Sequence, residues 1–195
     1  EKAPVLKPVD QIFAVSGSCA STTEDQIATA EAHGFQILNF DVSKVTQPKR
    51  FAAELERVRN ESLIKLSKNY DVLVATARGP DDLMIKRMEE AVSKTTMNPS
   101  AANERLGEAL GKLVSDIRRT TNIKRIAIAG GDTSGRVLSS VGAQALSAVA
   151  PISPGAPLCR LHTNNDAEID GLEMTLKGGQ MGEPHFFLQA KGVKK

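Results

Sequence analysis

Ile126-Ala127-Ile128-Ala129-Gly130-Gly131-Asp132-Thr133-Ser134-Gly135 decides how the fold of this chain is read. Its first four residues are a short apolar run, the pattern of a parallel strand buried on both faces. Two glycines break that run. A helix is expected to follow from Ser134 to Leu146, with Val137, Leu138, Val141 and Ala145 inward. In open α/β sheets, ligands bind at the carboxyl ends of the strands. A helix N-terminus there offers unpaired N–H groups and partial positive charge. Glycines let that backbone approach an anion closely. Gly130, Gly131, Asp132, Thr133, Ser134 and Gly135 therefore read as a phosphate turn. A tight turn before a capped helix fits the same spacing. Asp132 is open to three roles: orienting Mg2+ through water, bonding a ribose hydroxyl, or holding the loop by its own backbone.

Three similar apolar runs lie upstream: Ile12 to Val15, Ile37 to Phe40 and Val72 to Ala75. Helical patterns separate them. The first starts near Ser21, with Glu24 at capping-box spacing, and stops at His33-Gly34. The second starts at Pro48 and carries Phe51, Leu55, Val58, Ser62 and Leu66 on one face. A third region starts near Asp81 and is broken at Asn98-Pro99. Beyond that break, Leu106, Leu110, Leu113, Val114 and Ile117 make an apolar stripe. Strands alternating with helices imply an α/β chain: a three-layer α/β/α sandwich around a mostly parallel sheet. The last third differs. It holds short extended pieces at Ala148 to Ile152, Leu158 to Leu161 and Leu172 to Leu176, with a polar turn over Asn164 to Asp170.

Two more turns resemble the first in chemistry. Ser16-Gly17-Ser18-Cys19-Ala20-Ser21 follows the first strand and would share its sheet edge with the Gly130 turn. It also reads as a plain connector. Cys19 has no evident base beside it and reads as a small packing residue. Lys177-Gly178-Gly179-Gln180-Met181-Gly182 places a cation before three glycines. That cation either neutralises phosphate or is a solvated lysine in an ordinary loop.

Composition narrows the classes. Hydrophobic residues make up 41% and charged residues 25%, which is globular usage rather than disorder. A net charge of +2 gives no electrostatic footprint for nucleic acid. No apolar run reaches membrane-spanning length. Cys19 and Cys159 are isolated, which fits a reduced, cytoplasmic setting. No G-x-x-x-x-G-K-[ST] occurs, and no G-x-G-x-x-G follows the first strand. His33, His162 and His185 lack metal-ligand spacing. The chain opens on Glu1 rather than Met, and residues 1–10 contain two prolines. That start reads as a linker feeding a domain of a longer protein, or as the scar of a removed tag.

Taken together, four motifs resemble the C-terminal, nucleotide-binding domain of the four-carbon acid sugar kinases. They are Ser16-Gly17-Ser18-Cys19 with Thr23 and Gln26, Gly130 to Gly135, Ile152-Ser153-Pro154-Gly155-Ala156-Pro157, and Lys177 to Gly182 leading into Phe186-Phe187. The resemblance covers nearly the whole chain. It implies one nucleotide-binding domain over 1–195, the second half of an ATP-dependent kinase acting on a hydroxyl of threonate, erythronate or 3-oxo-tetronate. ATP and Mg2+ are the implied cofactors, and homodimers are ordinary for the family. Ser16, Gly17 and Ser18 would lie by the nucleotide. Gly130 to Gly135 would wrap its phosphates, Lys177 would neutralise them, and Gly178, Gly179 and Gly182 would line its base or ribose. The sugar acid and the catalytic base belong to an N-terminal domain not contained here, so the fragment alone is expected to be inactive. The alternative is a non-enzymatic module that binds a phosphate compound or nucleotide for regulation.

Overall fold

The computed structural model describes residues 6–193. Seven strands form one sheet: β1 (Phe13–Ser16), β2 (Gln36–Asn39), β3 (Val72–Ala75), β4 (Arg125–Ala129), β5 (Ala145–Ser153), β6 (Ala156–His162) and β7 (Glu173–Lys177). Their order is β2-β3-β1-β4-β7-β6-β5. Every pair from β2 across to β7 is parallel. Only β6 runs against its neighbours. The sheet is thus mostly parallel, as the alternating pattern predicts.

Side chains on a strand alternate between faces, and the two faces differ in bulk. Phe13, Val15, Val72, Val74, Ile126 and Ile128 point into one core layer. It is covered by α2 (Pro48–Ser67), α4 (Pro99–Thr120) and α5 (Gly131–Ser140). Ala14, Ala75, Ala127 and Ala129 point to the other side, where α1 (Ser21–Ala32) and α6 (Phe186–Lys191) settle on small residues. The topology explains this division. The chain leaves β1 in one direction along the sheet and leaves β4 in the other. Right-handed crossovers of opposite sense put their helices on opposite faces.

The second helix begins at Pro48, with Phe51, Val58, Ser62 and Leu66 buried. The break at Asn98-Pro99 also occurs. It separates α3 (Leu83–Ser93) from α4, and Asn98 caps α4 by accepting from the Ala101 amide at 2.8 Å. Two boundaries need correction. The helix expected over Ser134 to Leu146 is α5, and it runs Gly131–Ser140 instead. It ends in a Schellman turn: Gly142 is left-handed (φ 67°), its N–H bonds Ser139 O, and Ala143 N–H bonds Leu138 O. Ala145 therefore starts β5 and is exposed rather than inward. Pro151 and Pro157 lie inside strands. Pro151 is on the edge strand β5, and Pro157 sits where the β5–β6 register is irregular. In α1, the N-cap is Ala20, not Ser21, and no side chain caps the helix.

Residues 1–5 of the linker-like segment lie outside the described residues. Leu6 to Val9 has no regular structure but is fastened down. Val9 N–H bonds Lys191 O at 3.0 Å, and the buried Arg125 donates to Lys7 O at 2.9 Å.

Candidate functional site

β1 and β4 lie side by side, with Ser16 opposite Ala129. Because the chain leaves them in opposite directions, a crevice opens beyond their carboxyl ends. The turns after β1, β4 and β7 are bonded together there. Gly17 N–H donates to Ala129 O at 3.0 Å, and Gly130 N–H donates to Lys177 O at 2.9 Å. The result is a cleft of about 490 Å3.

Glycine is required at two points, once by contact and once by backbone conformation. A Cβ on Gly17 would lie 2.0 Å from Thr133 Oγ1, so the β1 turn and the start of α5 could not close. Gly130 has φ 115°, a conformation side chains rarely adopt. Gly179 allows a third close approach, 2.6 Å from a built Cβ to Ser18 Oγ. Gly131 is different: a Cβ there would meet nothing in the protein, yet the residue lines the cleft. Its open space faces whatever occupies the site.

The start of α5 brings free backbone donors to the cleft. Gly130 is the N-cap and offers no side chain, so Gly131, Asp132 and Thr133 form the first turn. Ser134 N–H bonds Gly130 O at 2.9 Å, but among the described residues the Gly131, Asp132 and Thr133 amides have no acceptor. Ser21, at the start of α1, lines the cleft from the opposite wall and is likewise uncapped. Of the helices away from the cleft, α2 and α6 also lack a side-chain cap, whereas α3 and α4 have one. Asp82 caps α3 through the Met84 amide at 2.9 Å, and Asn98 caps α4. Two helix N-termini thus converge, uncapped, on one cleft, and each brings partial positive charge.

Of the residues predicted for the site, Gly17, Ser18, Gly130, Gly131, Asp132, Thr133 and Gly179 line the cleft together. Six others do not. Ser16 is buried beneath it, its hydroxyl accepting from Ser18 N–H at 3.4 Å. Ser134 spends its hydroxyl on Gly130 O at 2.8 Å, and Gly135 is exposed one step further along α5. Gly178 lies against Met181, and Gly182 against Gln26 and Phe186. Lys177 is only 2% exposed. Its Nζ donates to Thr23 Oγ1 at 2.9 Å, Gly178 O at 3.1 Å and Gly179 O at 3.3 Å. An ammonium has three hydrogens, and these bonds use all of them. The lysine therefore clamps the turn from below, and burial pushes its pKa down to about 8. Gln26 adds to the clamp by donating to Met181 O and Glu183 O at 2.9 and 3.1 Å.

Cys19 is the other correction. It is exposed and lines the cleft, not packed in the core. Pro80, from the turn after β3, also lines it. No local motif marks Pro80. Only the parallel register that sets β3 beside β1 brings its turn to this edge.

The Asp132 carboxylate is exposed at the cleft and makes no hydrogen bond or ion pair among the described residues. No group of three or more His, Cys, Asp or Glu residues among those described could cage a metal ion. One free carboxylate beside free helix-terminal amides is a donor set that would fit Mg2+, which keeps several waters and binds through one or two carboxylates plus ligand oxygens.

A family model described as "Nucleotide-binding C-terminal domain" matches residues 13–187. The chain belongs to that family. Among similar proteins is a 3-oxo-isoapionate kinase of Paraburkholderia graminis, 38% identical over 184 residues, covering 94% of this chain and 39% of the kinase. A 3-oxo-tetronate kinase of Methylobacterium radiotolerans is 27% identical over 189 residues, covering 96% of this chain and 41% of its own length. The chain thus spans about two fifths of these relatives. Among solved structures, a Haemophilus influenzae protein superposes with TM-score 0.75 at 18% identity, over 98% of this chain and 42% of its own. A Bordetella bronchiseptica domain of unknown function, crystallised with citrate as a domain-swapped dimer, gives 0.68 at 19% over 95% and 41%. These structural likenesses concern the fold. Among the described residues, no helix is long and apolar enough to cross a membrane.

Proposed function

We propose that this chain is the ATP-binding part of a cytoplasmic kinase that phosphorylates a hydroxyl of a sugar acid. The observation that carries this is the pair of uncapped helix N-termini, α1 and α5, facing one cleft. The family description supports a nucleotide as the ligand. The names of the relatives support oxo-sugar acids of the tetronate and isoapionate type as acceptors. The two free cysteines suit a reducing compartment.

Phosphoryl transfer needs positioning and charge neutralisation more than covalent help from the protein. The Gly131, Asp132 and Thr133 amides would hold the phosphate oxygens. Ser18 and the Gly179 turn would close the opposite side. Asp132 would hold Mg2+ through water, and that ion supplies charge neutralisation along the phosphates. Asp132 and Cys19 are the ionisable side chains at this cleft. Neither is assigned as the base that takes the acceptor's proton. That group and the sugar-acid site belong to the remaining three fifths of such kinases, where a homodimer contact would also be sought.

Calorimetry with ADP, with and without Mg2+, tests the reading. Gly131→Val fills the open space at the cleft, and Thr133→Ala removes a hydroxyl there. Each should weaken Mg-ADP binding by about tenfold or more, equivalent to at least about 1.4 kcal/mol. Unchanged affinity in both variants would remove the phosphate assignment. Equal affinity for inorganic phosphate, sugar phosphates and ADP would favour a phosphate-binding regulatory module instead.

A further inference from the structure

The turns beneath the cleft are joined by a buried chain of hydroxyls. Ser18 lines the cleft yet is only 8% exposed. Its Oγ accepts from the Ala20 amide at 3.2 Å and lies 3.1 Å from Thr23 Oγ1. Thr23 is fully buried on α1 and does not line the cleft. Its hydroxyl also lies 2.8 Å from Gly179 O, and it accepts from Lys177 Nζ at 2.9 Å. A hydroxyl has one hydrogen. Thr23 can therefore donate to Ser18 or to Gly179 O, but not to both.

The protonation state of Lys177 decides between them. Its ammonium has a third hydrogen to give to Gly179 O. That carbonyl is then satisfied without Thr23, whose hydrogen is free for Ser18. Ser18 now accepts twice, from Thr23 and from the Ala20 amide, so its own hydrogen turns outward into the cleft. A neutral amine has two hydrogens and a lone pair. Either it leaves Gly179 O to Thr23, or it takes the Thr23 hydrogen itself. Both withdraw that hydrogen from Ser18. Ser18 then donates inward to Thr23 and shows the cleft a lone pair.

We propose that Lys177 and Thr23 are positioning residues that act through Ser18, making its hydroxyl a hydrogen-bond donor to an anionic ligand in the cleft. This rests on the phosphate reading above and adds two residues that touch no ligand. Among the described residues, no carboxylate pairs with the lysine. Around it, α1 presents Thr23, α6 presents the Phe186 ring with its centroid 5.6 Å from Nζ, and β4 pairs through its backbone. The ionisable groups of these elements are turned elsewhere. Glu24 of α1 lies against Gly79, His185 before α6 stacks on His33, and Arg125 of β4 pairs with Glu173 at the far end of the strands. Asp132 and Cys19 lie in the cleft above.

Calorimetry with Mg-ADP on the 195-residue chain tests the relay. Cys19→Ser serves as the background, because a thiol at the cleft titrates in the same pH range. In it, Ser18→Ala and Thr23→Val should each weaken binding by about tenfold. The two together should cost no more than about twofold beyond either alone, because both break one chain. Thr23→Ser keeps the hydroxyl and should bind within about twofold of the background. Between pH 7 and 9 the background should lose about fivefold in affinity or more, as Lys177 gives up its proton, while Thr23→Val stays flat. A thermal melt checks that each variant is folded, and if Thr23→Val is not, the pH profile and Thr23→Ser decide. Losses that add in the double variant would overturn the relay but leave the phosphate reading. So would a flat profile in the background, or a loss in Thr23→Ser as large as in Thr23→Val. Failure of the wild-type chain to bind Mg-ADP or pyrophosphate would overturn both.

Discussion

The Lys177 ammonium sits in a shell of three oxygens, two of them carbonyls of the turn it anchors. Burial pushes its pKa down from 10.5 to about 8. The folded chain thus gives up this proton near pH 8, whereas the unfolded chain keeps it to about 10.4. Unfolding takes up a proton in that window, so stability rises with pH across it. Below pH 8 the buried charge costs its full amount. Urea melts of the wild type against Lys177→Met should show the difference shifting toward the wild type between pH 7.5 and 10.5, by up to about 3 kcal/mol. A constant difference would mean that the lysine keeps its ordinary pKa. Gly135 is the contrasting residue. It belongs to the glycine motif but is exposed on α5, and a Cβ there would touch nothing. Gly135→Ala should stabilise the chain by about 0.5–1 kcal/mol in a denaturant melt and leave ADP binding unchanged.

At the scale of elements, the turn after β2 depends on one carboxylate from α2. Glu54 is buried and accepts from Asp41 N–H at 2.9 Å and Lys44 Nζ at 2.9 Å, with Arg57 on its other side. Burial alone would raise its pKa, but the Arg57, Asp41 and Lys44 bonds outweigh that and hold it at about 2. A depressed carboxyl adds stability above its unfolded pKa and loses it as pH falls through the folded value. Here the loss falls between about pH 4.5 and 2 and amounts to about 3 kcal/mol. Acid titration monitored by circular dichroism should show that loss in the wild type, and Glu54→Gln should lack it while being less stable at pH 7. The same turn carries Val42, which lines an apolar hollow beside the cleft, so loosening it should also disturb that hollow.

At the scale of the whole molecule, one depression is assembled from segments far apart in sequence: the turns after β1, β3, β4 and β7 and the sides of α3 and α4. A ligand gripping all of them should stabilise the fold as a unit. ADP at about 100 times its Kd should add about 2.7 kcal/mol, or about 5–10 °C in Tm for a chain of this size. A shift confined to Mg-free pyrophosphate would argue against a nucleotide.

Much of this architecture was legible in the residues. The apolar runs at 12–15, 37–40, 72–75 and 126–129 needed burial on both faces, which requires a parallel sheet between helices. The strands found lie within one residue of those runs. Local pattern failed where two signals overlapped. Val137, Leu138, Val141 and Ala145 keep helical spacing past the end of α5, but Gly142 adopts a left-handed cap and ends the helix first. For the glycine turn that opened the reading, the sequence by itself determined its place: after a buried strand, at the start of a helix. Only the tertiary structure decided which of its groups are free. Ser134 spends its hydroxyl inside the helix and Lys177 spends its hydrogens beneath the turn, while three first-turn amides of α5 are left without an acceptor. The physical reason is that hydrogen-bond demand is settled by neighbours in space: Gly130 O is near Ser134 in sequence, but Thr23 Oγ1, which accepts from Lys177, comes from α1, 154 residues away.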